Sequence, residues 1–188
     1  MGFGTGLNLR HFPKGVDLLV AMEPSESAFR LAGRRIQEAR FPVEHLCSRC
    51  EEAQLERGEF DFVVTTCALC SIQDPLTALR RMREALKPGG QYLFLEHGRS
   101  ANRLTALFQD VWTPIHRCLF GGCHVNRPIR KLIEDAGFKT ISLERFSPFG
   151  LGLFLSMYRG IAVSARLTPE RRLERALVGQ SDLRRPVC

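Results

Sequence analysis

The chain has no run of about eighteen apolar residues and no leader-like N-terminal segment, so nothing in it reads as a membrane-crossing helix or a secretory signal. Lysine is scarce: the formal charge of +7 is carried almost wholly by arginine. No Lys/Arg run interleaved with aromatics accompanies that charge. Residues such as Arg80, Arg81 and Arg83 instead sit on the polar face of an apparent helix, which argues for solvated surface and against a specific nucleic-acid partner. Seven cysteines are an odd number and do not form a disulfide framework. There is no internal repeat and no linker between two domains. The expectation is a soluble, cytoplasmic chain, with peripheral membrane contact or an upstream anchor left open.

What is present is 188 residues at 44% hydrophobic and 25% charged, enough for one domain with a sizeable core. The chain is organised around Met1-Gly2-Phe3-Gly4-Thr5-Gly6. Glycine lets backbone approach a ligand closely and adopt positive φ. A glycine loop leading into a helix offers free N–H groups to an anion or cofactor. Glu23 follows an apolar run at 16–22, roughly where an acid ending a second strand reaches a ribose. The spacing is not the dinucleotide fingerprint, which would place glycine at Leu7. A plain N-terminal turn is the structural alternative.

Residues 16–22 read as a buried parallel strand. Ser25 caps a helix over 26–40 whose stripe is Phe29, Ala32, Ile36 and Ala39. A short strand at 43–47 and a clear one at 60–66 follow. Asp74-Pro75 opens the next helix, with Leu76, Leu79, Met82 and Leu86 inward, and Lys87-Pro88-Gly89-Gly90 stops it before a strand at 91–97. This alternation predicts a parallel sheet with helical crossovers. Leu104, Leu107, Phe108, Val111, Trp112 and Ile115 recur at helical spacing. Packing against the sheet is the expectation, with pocket lining or membrane docking as alternatives. Asn126 is expected to cap a helix through Asp135. Strands at 139–146 and 153–163 would close the sheet edge, and 168–178 reads as a charged peripheral helix.

The Gly-Phe-Gly-Thr-Gly loop, the acid ending the second strand, Phe60-Asp61-Phe62-Val63-Val64 and Leu86-Lys87-Pro88-Gly89-Gly90 together resemble class I S-adenosylmethionine-dependent methyltransferases. Cys67-Ala68-Leu69-Cys70-Ser71, Glu96-His97, Trp112 through Cys123 and the Gly160 segment are similar to the methyltransferase-like protein 7 (thiol methyltransferase) group and its bacterial relatives. The likeness covers residues 1–163. It implies a Rossmann-like sheet, mostly parallel, with helices on both faces, in a domain at 1–165 followed by a basic extension at 166–188. It implies S-adenosylmethionine as cofactor. Gly2, Gly4 and Gly6 would pass under its methionine and ribose, and Glu23 would accept the ribose hydroxyls. Pro24 would shape the wall, Cys50 and Glu51 would meet adenine, and Thr66 and Cys67 would face the methionine part. The acceptor would be a small molecule or lipid-like, with a thiol among the choices.

The family has a full first strand, with an acid two positions before the first glycine; here it would fall before Met1. The expected sheet therefore lacks its central first strand, and the chain is expected to be a fragment, to have a misplaced start, or to be compensated by another segment. A degenerate, non-catalytic binding or scaffold protein is the rival reading. His97, at a strand's C-terminal end, is the candidate base, with His116 and His124 behind it. Cys47, Cys50, Cys67 and Cys70 have the spacing of a four-cysteine zinc module. In the methyltransferase topology, however, two strands of about 4.8 Å spacing each would separate the pairs. His116, Cys118, Cys123 and His124 form a second possible cluster.

Overall fold

A computed structural model describes residues 1–148 and 156–164. The six strands are β1 (Leu19–Met22), β2 (Val43–Leu46), β3 (Phe60–Thr66), β4 (Leu86–His97), β5 (Phe138–Phe146) and β6 (Met157–Ser164). The helices are α1 (Glu26–Leu31), α2 (Gly33–Gln37), α3 (Pro75–Ala85), α4 (Arg103–Leu119) and α5 (Ile129–Asp135). β1 and β2 pair in parallel. The larger sheet has the order β3-β4-β6-β5, in which β6 alone runs against its neighbours.

β1 and β3 are not hydrogen-bonded to each other. The first residues of the chain lie between them. The Met1 amino group donates to the Val64 carbonyl at 2.8 Å, and the Phe3 amide donates to the Met22 carbonyl at 3.1 Å. Two strand ends that would otherwise be unconnected are thereby joined through three residues, and the glycine loop is set at the C-terminal end of both strands.

The core is built as the periodicity predicts. Leu79, Met82, Tyr92, Phe94, Ile129, Ile133 and Phe138 join α3 and α5 to one face of the larger sheet. The Tyr92 and Thr65 hydroxyls satisfy each other within it at 2.8 Å. α3 starts where expected, with the Asp74 carboxylate accepting the Thr77 amide at 3.0 Å and proline in the first turn.

Four expectations are corrected. The helix over 26–40 is broken at Ala32 into α1 and α2, because Gly33 is a poor helix former and the Ala32 amide bonds Phe29 in a tighter turn. Asn126 does not cap α5; its amide donates to Asp110 at 2.9 Å, and Pro128 takes the cap position. The final strand begins at Met157; residues 153–155, the 168–178 helix and the 166–188 extension lie outside the described residues.

The fourth correction concerns α4. Leu104, Leu107, Val111 and Ile115 face outward, at 51–77% exposure, while Thr105, Gln109, Thr113 and His116 are buried. The inward face meets loop backbone with unmet hydrogen bonds. Gln109 donates to the carbonyls of Gly98 and Val125 and accepts the Ser100 amide. Buried backbone groups demand polar partners, and this demand overrides the hydrophobic stripe.

Candidate functional site

Glu23, Cys67 and His97 lie at the C-terminal ends of β1, β3 and β4, so one edge of the fold gathers most of the predicted residues. Gly2, Gly4 and Gly6 have φ of 63°, 57° and 74°. At Gly2 the requirement is also steric: a Cβ there would sit 2.5 Å from the Ala68 Cβ, which locks the glycine loop against the segment after β3. At Gly4 nothing lies within 4 Å of the added Cβ, so open space adjoins the loop.

Glu23 is buried at 9% exposure. Its Oε2 accepts the Gly4 amide at 2.8 Å and its Oε1 accepts the Ser25 amide at 3.0 Å. Each carboxylate oxygen retains a further lone pair. Its own carbonyl is bonded to His45 at 2.9 Å, and that imidazole stacks on Phe29 at 3.7 Å. Pro24 is exposed beside it.

Thr66 is half-buried and borders a concavity of about 450 Å³ on the larger sheet, with Val64, Leu93, Leu95 and Ile161. Cys67 is exposed and is the only non-glycine among the described residues with positive φ, 51°. Such a conformation is sparsely populated and collects at functional turns. Glu51 is half-buried in a turn. Cys50 departs from its expected role in one respect: its thiol lies in the core, on the Ala78 carbonyl at 3.8 Å, where burial pushes it up to about 12. Only its backbone is left for a ligand.

Neither cluster suggested by cysteine and histidine spacing forms. Cys47 is exposed and donates to the Pro24 carbonyl, and β2 and β3 belong to different sheets. His116 is buried against the Cys123 carbonyl at 3.1 Å and stacks on Phe120. His124 bonds the Cys70 carbonyl through Nδ1 at 3.1 Å. What converges, among the described residues, is one member of each cluster with the predicted base: Cys70, His97 and Cys123, their donor atoms all within 4.8 Å of one another. His97 Nδ1 lies 3.4 Å from the Cys123 Sγ. The Cys70 thiol is held down by the hydrogen bond from Cys123, against the effect of burial and with help from His97, while Cys123 is pushed up by the same pairing.

Sequence reasoning missed two supports. Glu96 is fully buried on β4; Oε1 accepts the Ala68 amide at 3.2 Å, and Oε2 has no partner in hydrogen-bond geometry. Burial, reinforced by Cys70, pushes its carboxyl up to about 7. The alternation Tyr92, Phe94, Glu96 on the core face was the available signal. Arg127 is buried and donates to the carbonyls of Leu69 and Ile72. Nothing local in its sequence marks that contact, which spans more than fifty residues.

The model of a family described as "Methyltransferase domain" matches residues 1–94. Among curated proteins, the human thiol S-methyltransferase TMT1B is 31% identical over 155 residues, covering 79% of this chain and 62% of the relative. Human thiol S-methyltransferase TMT1A is 30% identical over 150 residues, covering 77% and 60%. The chain thus spans about three-fifths of the length of these relatives. Among solved structures, a SAM-dependent methyltransferase from Methanosarcina mazei superposes with a TM-score of 0.67 at 18% identity, covering 87% of this chain and 89% of that one. An S-adenosylmethionine-dependent methyltransferase from Mesorhizobium loti gives 0.65 at 15%, covering 86% and 87%. At those identities the likeness is one of fold: a Rossmann-like class I methyltransferase sheet.

Proposed function

This chain belongs to the methyltransferase-domain family, and on that premise we propose that it transfers a methyl group from S-adenosylmethionine to a small thiol. The observation that carries the reading is the Glu23 carboxylate bonded to the Gly4 amide inside a loop of three positive-φ glycines. The residues fit the cofactor: open space adjoins the loop at Gly4, and Glu23 keeps lone pairs for two ribose hydroxyls. Pro24, the backbone of Cys50, Glu51, Thr66 and Cys67 complete the cofactor-binding set. The bound cofactor supplies an electrophilic methyl on a sulfonium. The chain's task is then to align the acceptor sulfur and take its proton, and His97 stands at the strand end where that proton would be received.

The similarity to thiol S-methyltransferases supports a thiol acceptor. The apolar concavity beside Thr66 suits one with a greasy body, which extends the proposal to lipid-like thiols. We place the activity in the cytoplasm, with peripheral membrane contact as a further possibility; among the described residues no helix is long and apolar enough to cross a membrane. Isothermal titration with S-adenosylmethionine and with NAD tests the cofactor assignment: preferential binding of the first is expected, and preferential NAD binding contradicts it.

A further inference from the structure

We propose that Cys70, His97 and Cys123 form a zinc site with one open coordination position, and that the acceptor thiol binds there as the fourth ligand. This rests on the thiol-methylation reading above but changes its activation step: His97 serves as a zinc ligand, and the metal in place of the imidazole activates the acceptor thiol.

The donor set is two sulfurs and one imidazole nitrogen, all within 4.8 Å of one another. Tetrahedral zinc with Zn–S near 2.3 Å and Zn–N near 2.0–2.1 Å separates its ligand atoms by roughly 3.5–3.8 Å. The observed 3.4 Å between His97 Nδ1 and Cys123 Sγ is already close to that edge. Mixed sulfur and nitrogen donors suit zinc better than the hard oxygen-seeking cations. Three protein ligands with a vacant fourth direction is the arrangement of catalytic zinc, whereas structural sites close with four.

The backbone around the donors is fixed from outside, as metal sites require. The Cys70 carbonyl accepts both the His124 amide at 2.8 Å and its Nδ1. Arg127 ties down Leu69 and Ile72 on either side. The Cys123 carbonyl is held by His116. The neighbouring Glu96 carboxyl lies outside the donor cluster, on the opposite face of β4 from His97, and accepts the Ala68 amide at 3.2 Å, which holds the segment leading into Cys70. Cys70 and Cys123 are almost fully buried, while His97 is half-buried, so the approach to the site lies on the His97 side.

The step balances without an added base. The acceptor R–SH coordinates zinc through sulfur and releases its proton to solvent, because a coordinating thiol is deprotonated outright. The zinc-held thiolate sulfur forms the new S–CH3 bond as the sulfonium C–S bond breaks. The sulfonium leaves as a neutral thioether, and the methylated thioether, a weak ligand, departs from zinc.

Zinc content of the full chain, purified without added metal and after addition of one equivalent of zinc, tests the site directly. About one zinc per chain is expected. It should fall to a small fraction in Cys70→Ser, Cys123→Ser and His97→Ala, and stay in Cys47→Ser and Cys118→Ser. Because a cysteine variant could unfold, cobalt substitution of the unaltered protein provides an independent reading. Thiolate-to-cobalt absorption should appear, and the ligand-field bands should shift when 2-mercaptoethanol is added. No bound metal, or a Cys70–Cys123 disulfide found by mass spectrometry, overturns the site. Cobalt bands that ignore the thiol overturn the open position. Thiol methylation by metal-free protein would sink this inference alone; stoichiometric zinc without transfer to any thiol would sink the functional reading and leave the metal site standing.

Discussion

The Glu23 Oε2 accepts the Gly4 amide at 2.8 Å, so the acid that ends β1 also shapes the loop that faces it. A carboxylate that holds the loop and binds ribose should be sensitive in two ways. Glu23→Ala should weaken S-adenosylmethionine binding by about 1.5–3 kcal/mol, the range for hydrogen bonds to a charged group. Glu23→Gln retains an oxygen for Gly4 and should lose less. Calorimetric titration separates the two variants; equal affinity in Glu23→Ala would reduce Glu23 to a loop support.

The glycines should not respond alike. Gly2→Ala places a Cβ 2.5 Å from the Ala68 Cβ in addition to straining a φ of 63°, so the loop must shift from the segment after β3. Gly4→Ala meets nothing within 4 Å, leaving only the left-handed backbone cost of roughly 1–2 kcal/mol. Urea denaturation should therefore rank Gly2→Ala as the more destabilising change.

α4 offers a comparison of its two faces. Val111→Gln and Leu107→Gln, on the exposed stripe, should change stability by less than about 0.5 kcal/mol. Gln109→Leu strands the carbonyls of Gly98 and Val125 and the Ser100 amide, and should cost on the order of 3 kcal/mol. If thermal melting gives the reverse order, the inverted face of α4 is wrong.

Asp110 gives a pH dependence. The hydrogen bonds from Arg99, then Asn126, hold its carboxyl below the usual range. A depressed acid contributes stability above its unfolded pKa and loses it as pH falls through the folded one. The Tm difference between the unaltered chain and Asp110→Asn should be largest near neutrality and vanish in acid.

The elements legible in the sequence were those whose signal is local. The 60–66 strand and the Asp74-Pro75 helix start each depend on propensity or turn chemistry within a few residues; the helix end was legible only in part, since Leu86, expected on the helix stripe, and Lys87 through Gly90, expected as a stop before a strand at 91–97, form the start of β4. α4 was misjudged because its inward face is chosen by distant backbone groups at Gly98 and Val125, which no helical period encodes. The site divides similarly. Gly2, Gly4, Gly6 and Glu23 announce themselves by spacing. His97 was marked by its place at a strand end. Its company was not, because Cys70 and Cys123 are brought together across more than fifty residues, and the cysteine spacings that looked most like metal sites pointed to other partners.

The central claim is methyl transfer from S-adenosylmethionine to sulfur, and product identification tests it most directly. The chain is incubated with methyl-labelled S-adenosylmethionine and paired acceptors that differ only in carrying a thiol, an amine or a hydroxyl, and the products are read by mass spectrometry. The account predicts label on the thiol sulfur, rising with acceptor to saturation, with little on the amine or alcohol partners. Label on nitrogen or oxygen in preference to sulfur, or none on any acceptor while S-adenosylmethionine fails to bind, would contradict it.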